Sequence, residues 1–286
     1  KEGAEVSFLG IIAEGEIKVR TTYGLLALGV GDVIGICDIW LGTYGYDYIA
    51  AVKTKVCMYA FNGANLMRPV FGGEKKYIAV SVLSAIRFLK QQSNLQNRWY
   101  QRSKRAYGKL KVSYEKYKNY SAKYSIESKD LDDIENLESE YAFYTPDAYI
   151  EEVVSELSLL NLEQITGFFG SAPYFAMSFL KQVEENSRSM AVFAEKSMLF
   201  YKKTGQMFFG NNRETLYTGY YEMALNIRDI DGDIQPVVTE LESILVMAQA
   251  MEAEFKEAPG VTFLSPVEKI RDAIGVLQTS VRTEEA

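Results

Sequence analysis

The chain has 286 residues, of which 48% are hydrophobic, and a formal net charge of -7 at pH 7. This length and apolar content suffice for a sizeable core and favour two domains, whereas the acidic balance argues against nucleic acid as the main partner, because phosphate contacts need clustered cations. The sequence contains no histidine, which excludes Ser-His-Asp and Cys-His nucleophiles, histidine metal ligands and histidine proton switches.

Cysteine usage and hydropathy indicate the compartment. The two cysteines, Cys37 and Cys57, and the lack of a secretory signal at the start are typical of free thiols in a reducing cytoplasm. No apolar run approaches the roughly 18–20 residues that a membrane span needs. We therefore expect a cytoplasmic protein that makes no use of a membrane.

Short apolar segments separated by glycine-containing turns occupy residues 7–61. Ile17 and Val19 alternate with charged residues, as in a half-buried strand. Residues 29–32, Gly-Val-Gly-Asp, are typical of a turn that accepts positive φ, and an apolar stretch at 56–61 closes the set. The pattern alone predicts a small antiparallel β-domain.

Three motifs follow one another in this region. Residues 15–17 read Gly-Glu-Ile, residues 28–32 read Leu-Gly-Val-Gly-Asp, and residues 33–35 read Val-Ile-Gly. The series resembles the hairpin, the glycine turn and the start of the phosphate-binding cassette of cyclic-nucleotide-binding domains of the catabolite activator protein type. The resemblance implies an antiparallel β-roll over about residues 1–61. It begins inside the family's domain, so we expect that a first strand is missing.

The cassette departs from the family pattern at both residues that would grip a cyclic nucleotide. Ile36 stands where the family has a glutamate for the ribose hydroxyl, and Gly45 or Tyr46 stands near the position of its phosphate-binding arginine. Residues 23–52 contain no Lys or Arg, and a buried phosphate without a cationic partner is costly. We therefore expect cyclic AMP and cyclic GMP to bind weakly or not at all.

The remaining candidate ligand-binding residues belong to the same degenerate cassette. They are Gly35, Ile36, Cys37, Asp38, Tyr46, Asp47 and Tyr48. An acidic, tyrosine-rich pocket would suit a polar or cationic small ligand better than a phosphate; the alternative is a pocket occluded by its own side chains. Cys37 is either an oxidant sensor or a small buried thiol.

A heptad pattern without proline runs from about residue 77 to residue 124. Its apolar and aromatic residues fall on alternate steps of four and three, which is typical of one long helix with a continuous seam. Dimeric members of the family pair through a helix at this position, so we predict a homodimer through residues 78–125. The alternative is a bundle within the same chain. The predicted interface consists of Val82, Ile86, Leu89, Tyr100, Tyr107, Leu110, Tyr114, Tyr117 and Tyr124.

The second half of this helix is basic, and the segment after it is acidic. The cations are Arg98, Arg102, Lys104, Arg105, Lys109, Lys111, Lys116, Lys118 and Lys123. Interleaved with tyrosines, they could bind single-stranded nucleic acid, or they could form a solvated face. The acidic block at 127–140 could instead fold back and neutralise them; its carboxylates are Glu127, Asp130, Asp132, Asp133, Glu135, Glu138 and Glu140.

Four acidic residues in the second half of the chain copy the carboxylate positions of an EF-hand calcium loop. They are Asp229, Asp231, Asp233 and Glu240. Ile234 stands where the loop needs glycine for its bend, and Pro236 falls within it. We interpret the segment as a polar turn between helices and expect no metal ion and no cofactor.

The sequence as a whole predicts an α+β protein. A β-roll with a connector occupies 1–75, a long helix 76–126, an acidic linker 127–146 and an α-helical domain 147–286. We expect a non-enzymatic sensory, regulatory or scaffolding protein whose helical domain binds a protein partner. The alternatives are an enzyme that uses carboxylates of the helical domain and a nucleic-acid binder through the basic helix.

Overall fold

The computed structural model describes residues 1–60, 75–129, 147–210, 214–259 and 262–284, with Leu131, Ile134 and Leu137. Within these residues the protein is α+β, as predicted, with two three-stranded antiparallel sheets and seven helices. None of the described helices combines the length and the hydropathy of a membrane-spanning segment.

The strands lie at the start of the chain. They are β1 (Phe8–Glu14), β2 (Ile17–Thr21), β3 (Gly24–Leu28), β4 (Val33–Ile34), β5 (Asp47–Ala50) and β6 (Lys55–Ala60). One sheet has the order β4-β1-β6 and the other the order β3-β2-β5. The chain therefore changes sheet at every connection except the β2–β3 hairpin.

The burial pattern confirms the predicted strand around Ile17 and Val19. Both side chains are buried, whereas Arg20 is exposed, because successive residues of a strand point to opposite faces. The strand predicted at 56–61 is also present as β6, but most of its side chains are exposed, and Met58 is 61% exposed. The apolar composition of that stretch therefore predicted the strand correctly, but it did not predict that most of its side chains are exposed.

The helices occupy most of the remaining chain. They are α1 (Lys75–Lys123), α2 (Ala148–Leu157), α3 (Leu162–Gly170), α4 (Pro173–Phe209), α5 (Leu216–Asp229), α6 (Gln235–Lys256) and α7 (Val267–Glu284). Side-chain caps stabilise the starts of α2 and α3. Asp147 accepts from the amide of Tyr149 at 2.9 Å before α2, and Asn161 and Gln164 form a capping box before α3.

The chain folds into two compact units that are interleaved in sequence. Residues 1–98 and 143–195 form unit 1, and residues 99–142 and 196–286 form unit 2. The boundaries fall inside α1 and α4, so each of these helices contributes residues to both units. The units therefore cut across the four segments expected from the sequence.

In unit 1, polar side chains of α1 bond to the backbone of the strand region. The amide of Val33 donates to Ser84 Oγ at 2.8 Å. The Gln91 side chain accepts from the Ala27 amide at 2.8 Å and donates to the Ala27 carbonyl at 2.7 Å. Gln91 thus supplies both hydrogen bonds that a neighbouring strand would supply to β3.

In unit 2, several aromatic rings pack against one another within the core. Trp99 stacks on Phe255 with ring centroids 5.7 Å apart, and Tyr117 meets Tyr220 edge to face at 5.4 Å. The Tyr220 hydroxyl is fully buried and donates to the Ser113 carbonyl at 2.5 Å. The tyrosines of the α1 seam are tolerated here because partners exist for buried hydroxyl groups.

The heptad seam of α1 is buried by the chain itself. Val82, Ile86, Leu89, Tyr107, Leu110, Tyr114 and Tyr117 are buried, and Tyr100 and Tyr124 are half-buried. This corrects the expected interface: the seam packs within its own chain, as in the intrachain alternative, and its buried side chains are not open to a second chain. The oligomeric state of the protein stays a prediction.

Candidate functional site

The segment predicted as a degenerate cassette, residues 35–48, comprises the connection from β4 to β5 and the first two residues of β5, and it is called the cassette turn below. The carbonyl of Gly35 accepts from the amide of Asp38 at 3.0 Å, and the carbonyl of Asp38 accepts from the amide of Leu41 at the same distance. This local folding buries the side chains of Ile36, Cys37 and Asp38. A carboxylate is therefore carried into the interior between two apolar neighbours.

Asp38 is 0% exposed, and both of its carboxylate oxygens accept hydrogen bonds. The Tyr48 hydroxyl donates to Oδ2 at 2.6 Å, and the Gly45 amide donates to Oδ1 at 3.1 Å. Burial raises the pKa of Asp38 above its ordinary value, while these two hydrogen bonds oppose the rise because they stabilise the charged form. Burial and the neighbouring carboxylate also raise the pKa of Tyr48, so its hydroxyl keeps its proton as the donor.

Gln92 of α1 joins the cassette turn to both long helices. Its Nε2 donates to the Tyr46 hydroxyl at 2.7 Å and, less closely, to the Tyr23 hydroxyl at 3.3 Å. Its Oε1 accepts a hydrogen bond from Ser187 Oγ of α4. Gln92 and Ser187 are buried, so one amide connects the cassette turn, the strand region, α1 and α4. We call Asp38, Tyr46, Tyr48, Gln92 and Ser187 the cassette network.

Glu184 of α4 adds a second buried carboxylate next to this network. Its Oε1 pairs with Arg188 at 2.7 Å, but its Oε2 is buried without a hydrogen-bond partner in the described part of the chain. Burial raises the pKa of Glu184, the Arg188 charge opposes the rise, and the Asp38 charge adds to it. The two carboxylates therefore affect one another electrostatically.

Cys37 lies in the same region, and its free thiol is buried. Burial, then the charges of Asp38 and Glu184, raises its pKa well above the ordinary value. Since the thiolate is the reactive form, this environment favours the buried-thiol interpretation over an oxidant sensor. The other cysteine, Cys57, is exposed on β6.

The structure brings together part of the predicted set. Cys37, Asp38, Tyr46 and Tyr48 surround one buried region, whereas Ile36 belongs to the apolar core. Asp47 makes its hydrogen bond with the start of the chain instead: its Oδ1 accepts from the amide of Glu2 at 2.9 Å. Ile36, Cys37 and Asp38 are buried, whereas Tyr46 and Tyr48 are half-buried. The choice between a ligand pocket and an occluded cassette stays a prediction.

Three residues of this site were missed from the sequence: Gln92, Glu184 and Ser187. Each is a buried polar residue on a helix face that also carries buried apolar side chains. That mismatch was a usable signal, since buried polar groups need partners. Nothing in the helical pattern, however, indicates that the partners lie in the cassette turn.

The four carboxylates in EF-hand positions do not converge on one point. Asp233 Oδ1 accepts from the Gln235 amide at 2.9 Å and helps to begin α6. Glu240 is buried in α6, where it pairs with Lys116 of α1. Among the described residues, no group of three or more acidic or thiol side chains is placed to hold a metal ion. Residues 230–234 form the connection between α5 and α6.

Several cations in the basic half of α1 form ion pairs or cation–π contacts within unit 2. Arg102 pairs with Glu254 at 3.0 Å and also lies over the Trp99 ring, 5.0 Å from its centroid. Lys118 lies over the Tyr114 ring at 4.6 Å. Because Tyr107, Tyr114 and Tyr117 are buried, the rings on which bases would stack are already covered. This arrangement weighs against the nucleic-acid alternative.

The backbone after α1 turns back along the helix. The Lys129 amide donates to the Tyr117 hydroxyl at 3.2 Å, and the Tyr107 hydroxyl donates to the Ile134 carbonyl at 3.3 Å. Later residues thus contact earlier turns of α1, as the fold-back alternative requires. Of the acidic block, Asp130, Asp132, Asp133, Glu135, Glu138 and Glu140 lie outside the described residues, so its charge neutralisation stays a prediction.

Two clefts of unit 2 bear on the enzyme alternative. One, of about 290 Å³, is lined by Glu240 together with lysine, serine and apolar residues. The other, of about 640 Å³, has the exposed Glu214 in its lining. Chemistry by paired carboxylates needs both groups in one cleft, and each of these linings has a single one.

Comparisons of the chain with protein-family models, with curated proteins and with solved structures found no match. The function must therefore be inferred from the geometry of the chain itself. Its most developed polar feature is the buried cassette network between the cassette turn and two long helices.

Proposed function

We propose that the chain is a non-enzymatic regulatory protein in which the cassette turn controls the packing of α1 and α4. The observation that carries this proposal is the position of Gln92, which bonds to Tyr46 of the turn and to Ser187 of α4. Displacing the turn breaks the hydrogen bond between Tyr46 and Gln92. It thereby removes a partner from the buried Gln92 amide, which is also bonded to α4, and an unpaired buried polar group is costly. Since α1 and α4 continue into unit 2, a shift of either helix extends along the chain into the helical part, which we propose as the surface for a protein partner.

The proposal includes a cyclic-nucleotide-binding-like β-roll with an altered cassette. It is supported by the alternation of the chain between two antiparallel sheets and by the place of the cassette turn after the Gly-Asp turn at 31–32. Ile36 is buried where the family has its ribose-binding glutamate. The cassette turn itself contains no cation to hold a phosphate.

Cyclic AMP and cyclic GMP should therefore give no binding in isothermal titration calorimetry at micromolar concentrations. The physical reason is the cost of burying a phosphate charge without a cationic partner. A dissociation constant in the micromolar range or tighter for either nucleotide would show that the cassette has retained its ancestral ligand.

The coupling itself is tested by hydrogen exchange on the whole chain. In Gln92→Leu, which keeps the side-chain size and removes the amide, we expect amide protection to fall together in residues 35–48, in α1 near Ser84 and in α4 near Ser187. Asn97→Leu, at an exposed amide of the same helix, should leave all three segments unchanged. If Gln92→Leu alters exchange in α1 alone, the cassette network does not couple the segments and the proposal is wrong.

A further inference from the structure

Glu184 is a fully buried carboxylate with one oxygen left unpaired. It is 0% exposed, its Oε1 is engaged by Arg188, and its Oε2 has no hydrogen-bond partner within the described residues. An ionised oxygen without a donor is strongly disfavoured in a protein interior, whereas a protonated carboxyl carries no charge to solvate. The environment of Oε2 therefore favours a bound proton.

The charges that face Glu184 come from two elements. On its own helix, Arg188 and Lys181 favour the ionised form and Glu185 opposes it; from the cassette turn, Asp38 opposes it. The thiol of Cys37 lies in the same region and is held neutral. Burial is the largest influence, and it raises the pKa of Glu184 above the ordinary value.

Asp38 is the better stabilised of the two buried anions. It accepts hydrogen bonds from Tyr48 and Gly45 at both oxygens, whereas Glu184 has a partner at one oxygen. When two buried carboxylates repel one another, the proton stays on the one whose charged form is less well solvated. In this pair that residue is Glu184.

We propose that Glu184 is a proton-binding site and that the cassette turn responds to its charge. With the proton bound, α4 packs against the turn with Asp38 as the anion; when the proton leaves, two buried carboxylates oppose one another and the turn loosens. The chain has no histidine, so a buried carboxyl supplies the titration that histidine commonly provides. The response of the turn rests on the proposed function, because it is transmitted through the cassette network.

The direction of the pH effect follows from the higher pKa in the folded state. The folded chain binds the proton more tightly than the unfolded chain, so the free energy of unfolding falls as pH rises from the ordinary value of 4.5 through the raised value. Above the raised value, this part of the stability is lost completely. Glu184→Gln imitates the protonated form, so it should remove the part of the pH dependence that comes from Glu184.

Thermal unfolding of the whole chain between about pH 5 and about pH 8 tests the site. We expect the Tm of the wild type to fall as pH rises, and the Tm of Glu184→Gln to stay flatter and to exceed the wild type at the upper end. Glu156→Gln, at an exposed glutamate of α2 with the same charge change, should follow the wild type. Parallel curves for the wild type and Glu184→Gln would overturn the proposal.

A second variant covers the case in which Glu184→Gln folds poorly. Asp38→Asn removes the opposing charge and so lowers the pKa of Glu184 toward its ordinary value. The fall in Tm with rising pH should therefore be smaller than in the wild type and should be complete at a lower pH. An unchanged curve for Asp38→Asn would show that the two carboxylates are not coupled.

Hydrogen exchange separates this proposal from the one on which it rests. Protection of residues 35–48 should fall with rising pH in the wild type, after correction for intrinsic exchange, and not in Glu184→Gln. If this pH effect is missing while Gln92→Leu still loosens the three segments together, the proton site is wrong and the regulatory coupling stands. If the Tm curves differ as expected while Gln92→Leu acts on α1 alone, the proton site stands and the coupling is wrong.

Discussion

The side-chain amide of Gln92 shows how one buried residue can connect distant segments of this fold. Its polar atoms are satisfied by Tyr46, Tyr23 and Ser187, which come from separate parts of the chain. Leaving a buried partner unpaired costs about 1–3 kcal/mol. The free energy of unfolding of an ordinary protein is about 5–15 kcal/mol in total. Loss of the hydrogen bonds of this one side chain would therefore remove a substantial fraction of the stability.

The Tyr220 hydroxyl gives a matched test of one buried hydrogen bond. Tyr220→Phe removes the donor to the Ser113 carbonyl and should lower the free energy of unfolding by about 1–2 kcal/mol, because the buried carbonyl loses its side-chain partner. Tyr221→Phe, at the half-buried neighbour, should change it by less than about 0.5 kcal/mol. Urea denaturation measures both; equal effects would contradict the assignment of the bond.

Two turn glycines with nearly the same backbone conformation should differ in their tolerance of alanine. Gly15 has φ of +86° and Gly31 has φ of +87°, so alanine at either site pays about 1–2 kcal/mol for the left-handed region. At Gly15 the new Cβ would also lie 2.6 Å from the Lys53 carbonyl oxygen, whereas at Gly31 it would meet nothing. Gly15→Ala should therefore be clearly less stable than Gly31→Ala in denaturant unfolding, and the reverse order would contradict the geometry of the β1–β2 turn.

At the scale of the element, α1 shows what a periodic pattern can and cannot predict. The heptads correctly indicated one long helix and the face that is buried, because periodicity reports which residues avoid water. They did not indicate what covers that face, since a second copy and the same chain provide equally apolar surroundings. The seam residue Leu89 is buried in the single chain, which decides between the two for that side chain.

Truncation of the seam should therefore act on stability and not on assembly. Leu89→Ala should lower the free energy of unfolding by about 2–5 kcal/mol, as expected for a cavity in a core. Val112→Ala, on the same helix but 53% exposed, should have an effect of less than about 0.5 kcal/mol. Light scattering on the folded proteins should give one mass for both variants and the wild type; a lower mass for Leu89→Ala alone would return the seam to an interface between chains.

The cassette turn illustrates the same limit for the site. Alignment of short motifs placed Cys37, Asp38, Tyr46 and Tyr48 near one another, and the structure brings them to one buried region. Gln92 and Ser187 were not found, because their hydrogen bond joins residues 95 positions apart and local patterns contain no information about such pairs. The expected strands, the long helix and the α+β class needed only local signals, whereas the interleaving of the two units needed the complete fold.

At the scale of the whole molecule, the shared helices predict one unfolding transition. Unit 1 and unit 2 both include part of α1 and part of α4, so loss of either helix removes structure from both units. Differential scanning calorimetry should then give a single peak whose calorimetric and van't Hoff enthalpies agree. Two separate peaks would show that each unit keeps its part of the helices when the other unfolds.

The interleaved order of the units also has a consequence for synthesis on the ribosome. The β-strands and the first part of α1 emerge early, but Ser187 follows Gln92 by 95 residues, which takes about 5–20 s at about 5–20 residues per second. Until then the amide of Gln92 and the inner side of the cassette turn lack the surface of α4 that completes them. The nascent chain must therefore wait with an unfinished first unit, which makes this interval the time at which a chaperone would protect it most.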